Sequence, residues 1–115
     1  MHKPATFQDL IAEVEALDLY QKLLVMLNKD LLLANINLQF EDDVTPQLMF
    51  EAFQEVVFHL IREKFNDYLN LLYIVDVPER DIKKLDGSDV FQLSKTVTFL
   101  ILKREWQKVW YKAHY

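Results

Sequence analysis

One glycine and three prolines are all that punctuate this chain of 115 residues. Strands need tight reversals between them, and tight reversals draw on glycine and proline. A chain so poor in both is not a many-stranded sandwich or barrel, and helices become the default. Hydrophobic residues make up 51% of the sequence, ample for one core, and the length falls within the range of a single domain over 1–115. The expected fold is mainly α: a compact bundle of four to five helices with one short extended segment near 35–40.

The helices announce themselves by periodicity. Thr6 stands three residues before Asp9, as an N-cap does, and Phe7, Leu10, Ile11, Val14 and Leu17 then recur at helical spacing. Asp18 followed by Gln21 resembles a second capping box, which predicts a break and two helices, about 7–17 and 19–34. One continuous helix is the alternative. Asn35 to Phe40 alternates strictly between polar and apolar residues. That pattern predicts an extended segment with Ile36, Leu38 and Phe40 turned inward, lying over the core. The acidic run Glu41-Asp42-Asp43 follows as a solvated loop.

Thr45-Pro46 is the clearest local signal, a capping threonine followed by proline at the first helical position. From there to Asp76 apolar residues cover so wide a surface that this stretch is expected to be the central helix, surrounded by neighbours. Pro78 to Leu85 predicts a short helix, and Gly87 is expected in a left-handed turn. Ser88 or Asp89 then caps a last helix from Val90 to about Lys112. The stretch 95–102 also suits a strand, but the length of the segment and its charge pattern favour helix.

Net charge is -5 and unevenly spread. From residue 95 onward Lys95, Lys103, Arg104, Lys108 and Lys112 face Glu105 alone, a balance of +4 that leaves -9 for the rest. An acidic body argues against nucleic acid as a partner. Apolar runs such as Leu71 to Val75 are too short to span a bilayer, and the first residues lead into an amphipathic acidic stretch, not an apolar signal core. Cytoplasmic residence, with no membrane partner, is the expectation. With no cysteine, disulfides, thiolate metal sites and cysteine nucleophiles drop out.

Three constellations bear on function. Leu10, Leu17, Leu24 and Leu31 repeat every seven residues, but neither intermediate position of the heptad is consistently apolar, so packing within the chain is expected instead of a zipper. Glu51, Glu55, His59 and Glu63 share one helical face, which makes a carboxylate–imidazole metal site geometrically conceivable. It lacks a second histidine, since His2 and His114 lie near the ends, and an ordinary solvated stripe is the expected reading, with no cofactor. The third is the C-terminal stretch, where both tryptophans sit four residues apart among basic residues. Trp106 and Trp110 either bury against the acidic helices or, with Arg104 and Tyr111, form a protein-binding surface of the residue types that dominate interface hot spots.

No catalytic motif, glycine-rich loop or serine–histidine pairing is present in the sequence. The leading expectation is a small interaction or adaptor module that binds a protein partner, possibly itself as a homodimer, without catalysis. The alternatives are a bundle that holds a small apolar ligand between Phe50, Phe53 and Tyr68, a metal-dependent enzyme using Glu55 and His59, and a chaperone-like acidic face meeting a basic partner. Zinc or manganese titrated during thermal melts is expected to produce no specific rise in melting temperature; a marked rise would restore the metal site.

Overall fold

A computed structural model describes residues 4–115, so Met1 to Lys3, including His2, lie outside the described residues. The fold is mainly α, with six helices and no strand among the described residues: α1 (Phe7–Ala16), α2 (Tyr20–Leu33), α3 (Pro46–Glu63), α4 (Phe65–Val75), α5 (Glu79–Lys83) and α6 (Val90–His114). The caps read from the sequence are in place. Thr6 accepts from Asp9 N–H at 3.1 Å, Thr45 from Leu48 N–H at 3.3 Å and Asp89 from Gln92 N–H at 3.1 Å.

The chain reverses without glycine. Asp18, Asn35 and Asp76 take left-handed φ values of 56°, 60° and 71° at the ends of α1, α2 and α4. Asp and Asn are the non-glycine residues that bear this conformation best, because their short polar side chains bond locally. Gly87, expected in such a turn, has no positive φ. A Cβ there meets only Leu93 Cδ2, at 3.9 Å. The Asp18/Gln21 capping box is also absent: Leu19 stands at the N-cap of α2 with no side-chain bond. Gln21 instead reaches across to donate to the Asp42 carbonyl at 2.8 Å.

The expected central helix from 46 to 76 is broken at Lys64, whose φ of -141° and ψ of 62° end α3 and begin α4. Thirty helical residues in a line would extend about 45 Å, beyond the 36 Å longest dimension of the molecule as it is folded. The break folds α4 back so that both α3 and α4 lie on α6. The role expected of the 46–76 stretch thus passes to α6. It packs on α1, α2, α3 and α4 and buries Val97, Ile101, Leu102, Trp106 and Val109. The 95–102 stretch is helical throughout.

Between α2 and α3 the chain runs extended, with Ile36 and Phe40 buried, Leu38 half-buried, and Asn35, Asn37 and Gln39 exposed, in the predicted alternation. Side chains of α2 hold it in place of a ladder. Asn28 donates from Nδ2 to the Phe40 carbonyl at 2.9 Å and accepts the Phe40 N–H on Oδ1 at 2.8 Å. Tyr20 donates to the Val44 carbonyl at 2.7 Å. Because Asn28 satisfies both backbone groups of a buried residue, Asn28→Ala is expected to cost about 1–3 kcal/mol, read as a lower denaturant midpoint at unchanged m-value.

Candidate functional site

The four residues expected to form a protein-binding surface separate on folding. Trp106 is fully buried, and its indole N–H donates to Glu13 Oε1 at 3.2 Å. It therefore belongs to the core and not to a surface of the folded chain. Its place follows from spacing, since Leu102, Trp106 and Val109 fall on one face of α6. Arg104 is committed elsewhere. Its Nε donates to the Asp76 carbonyl at 2.9 Å and its Nη2 to Asp76 Oδ2 at 3.1 Å. A guanidinium at the C-terminus of α4 meets that helix's exposed carbonyls and the negative end of its dipole.

Trp110 and Tyr111 do reach the surface. Trp110 is half-buried and stacks on His114 with ring centroids 4.1 Å apart; Tyr111 stacks on Tyr115 at 5.6 Å. The aromatic end of α6 is largely satisfied by contacts within its own last turns.

The other candidates are equally plain. Glu51, Glu55, His59 and Glu63 stay exposed along α3, and no three His, Cys, Asp or Glu side chains among the described residues are grouped to hold a metal ion. Phe53 and Tyr68 are packed in the core, and Phe50 lies against Phe7 with centroids 4.6 Å apart. In the leucine heptad Leu10, Leu24 and Leu31 are buried, while Leu17 sits exposed at the corner between α1 and α2. No helix among the described residues is long and apolar enough to cross a membrane.

Two features went unread in the sequence. One is a buried charge cluster where α2 meets α6. Lys108 Nζ lies 2.5 Å from Asp30 Oδ2 and 2.7 Å from Glu105 Oε1. Asp30 and Glu105 are buried, while the Lys108 side chain enters from the edge with 21% exposed. Two carboxylates and one ammonium balance only if one acid keeps its proton. Burial pushes Glu105 up to about 9, and its hydrogen bond with Asp30 adds to the rise against the pull of Lys108. Burial lowers the Lys108 pKa, but bonds to the two carboxyls more than offset it and leave the ammonium above its ordinary value. The spacing held the clue. Glu105 falls in line with Val97, Ile101 and Val109, and Asp30 lies beside Leu27 and Leu31 on the buried stripe of α2.

The second unread feature is on α4. Phe65, Leu69 and Tyr73, at i, i+4 and i+8, are 53%, 46% and 81% exposed. Asp67 is the single charged residue within α4. Leu69 and Tyr73 open into a groove of about 420 Å³ towards α5, walled by Leu72, Val77 and Ile82 and edged by the charged Asp76, Glu79 and Lys83. An uncharged, aromatic-rich helix face has the composition of an interface core. The 46–76 stretch was expected to be surrounded by neighbours, yet Tyr68, Leu71, Leu72 and Val75 alone fill the inner side of α4 and leave its outer side open.

No protein-family model, curated protein or solved structure matches the chain.

The buried cluster has a consequence for stability. An acid whose folded pKa is raised supports the fold fully below its unfolded value near 4.5, and that support is lost as pH climbs to about 9. Stability is therefore expected to fall across that window by on the order of a few kcal/mol. In Glu105→Gln, whose amide presents the same donor and acceptor as the protonated acid, melting curves from pH 5 to 9 are expected to lose most of this slope. Parallel wild-type and variant profiles would refute the neutral-acid assignment.

Proposed function

We propose that the protein is a small cytoplasmic interaction module that pairs with a second copy of itself through the outer face of α4, and that it acts by binding and not by catalysis. The observation that carries this reading is the exposed stripe of Phe65, Leu69 and Tyr73. Single exposed apolar residues are ordinary on protein surfaces, but three in register on one helix, beside a groove with an apolar wall and a charged edge, form a patch.

The choice of a second copy rests on charge and symmetry. The stripe itself carries no charge, so it does not select an oppositely charged partner. It is also self-complementary: a two-fold axis across Leu69 sets Phe65 of each copy against Tyr73 of the other, and the Leu69 side chains meet at the centre. Two Asn residues, Asn66 and Asn70, border the stripe and are exposed, as suits the polar rim of such a contact. The absence of catalysis is inferred from where the perturbed acid–base groups lie. Glu105, the carboxyl pushed furthest from its ordinary value, is enclosed by the core instead of opening onto a cleft, whereas catalytic acids and bases must reach a substrate.

Sedimentation at micromolar concentration is expected to show a dimer, and the double variant Leu69→Glu, Tyr73→Glu a folded monomer. Both side chains are exposed, so the substitutions should change folding stability little, which far-ultraviolet circular dichroism would verify. A wild-type chain that stays monomeric at tens of micromolar (an on-the-order-of threshold for weak dimers) would sink the reading.

A further inference from the structure

Where α2 runs against the last turns of α6 lies a second groove of about 410 Å³ that shares no lining residue with the first. Its floor is apolar: Val25, Met26, Val109 and Ala113. Its banks carry Lys22 and Lys29 from α2 and Lys112 from α6. All three lysines are exposed, and none is in an ion pair among the described residues. No carboxylate lines the groove, although the chain as a whole carries -5. From this geometry we infer that the groove is a docking site for an acidic amphipathic helix of a partner protein.

The arrangement of the cations selects that occupant. Lys22 and Lys29 are seven residues, or about 10 Å, apart along α2. Asp30 of α2 meets Lys108 of α6, and one turn further along α6 Lys112 lines the same groove as Met26 and the two α2 lysines, on the other bank. A single headgroup, such as a fatty-acid carboxylate or a phosphate, calls for cations that converge on one point; these are spread along a line. Carboxylates at i, i+3 or i+4, and i+7 of a helix are spread in the same way.

The floor selects in turn. Val109 is only 4% exposed and Met26 is half-buried, so the centre of the floor is recessed, while Val25 and Ala113 stand exposed at its edges. A flat membrane surface does not reach into it. A ridge of leucine-like side chains on a partner helix does, in the way amphipathic helices fill hydrophobic grooves. The occupant thus presents an apolar ridge flanked by acids, and the lysines confer orientation and salt-dependent association.

The probe for this site is a fluorescein-labelled synthetic helix with leucines along one face and glutamates beside them, titrated with the full chain and read by anisotropy. Saturable binding at micromolar protein is expected, weakened at least about tenfold by the triple variant Lys22→Glu, Lys29→Glu, Lys112→Glu and weakened further by salt. The same peptide with lysines in place of glutamates is expected to show no saturable binding. Because the α4 face is separate, Leu69→Glu, Tyr73→Glu should bind the acidic peptide as the wild type does, which keeps this test independent of dimer formation. Failure of the acidic peptide to saturate, or equal binding by the charge-reversed variant, would overturn the inference. So would capture of oleate micelles or phosphatidylglycerol vesicles by a chain that ignores the peptide.

Discussion

Asp30, Glu105 and Lys108 meet inside the seam between α2 and α6, and that seam fixes the position of the helix on which the rest of the fold is laid. An ion pair withdrawn from water recovers its desolvation cost only when geometry and hydrogen bonding are good. Here one ammonium serves two carboxyls, and retention of a proton on Glu105 leaves the cluster neutral. Such a group tolerates no sliding, since a shift of one turn would strand a carboxylate among leucines. We read the cluster as a register device: Asp30–Lys108 sets α2 against α6, and one residue on from Glu105 the Trp106–Glu13 bond ties in α1.

Much of the fold was legible because it follows from local chemistry. The three capped helix starts are dictated by residues within one turn of the site, and the inward alternation of Ile36 and Phe40 by their own spacing, whereas the break near Asp18 came without the capping box that suggested it. The break at Lys64 was illegible for the opposite reason. Nothing in Glu63-Lys64-Phe65 disfavours a helix; the break goes with the packing of both α3 and α4 on α6, a contact distant in sequence. Gly87 misled in a different way. Glycine permits a left-handed turn without requiring one, and Asp18, Asn35 and Asp76 supply the left-handed residues instead.

The candidate surfaces were harder still. Residue type alone marked Trp106 and Arg104 as contact residues, but their contacts turn out to be internal: Glu13 for one and Asp76 for the other. The same chemistry that makes tryptophan and arginine effective at interfaces serves equally well between helices of one chain. Phe65, Leu69 and Tyr73 were hidden among true core positions, because a helix apolar on two sides gives no sign of which side is covered. Asp30 and Glu105 were hidden as unremarkable acids, although each stood in an apolar stripe.

The central place of α6 also bears on how the chain comes into being. Its 25 residues follow the other five helices in the sequence, yet α1, α2, α3 and α4 all pack on them. Until they are made, those four helices have only one another to close against. The earlier helices are short enough to be marginal on their own. Their apolar faces thus stay partly open until α6 is made, and the core closes only when the helix that four others lean on joins them.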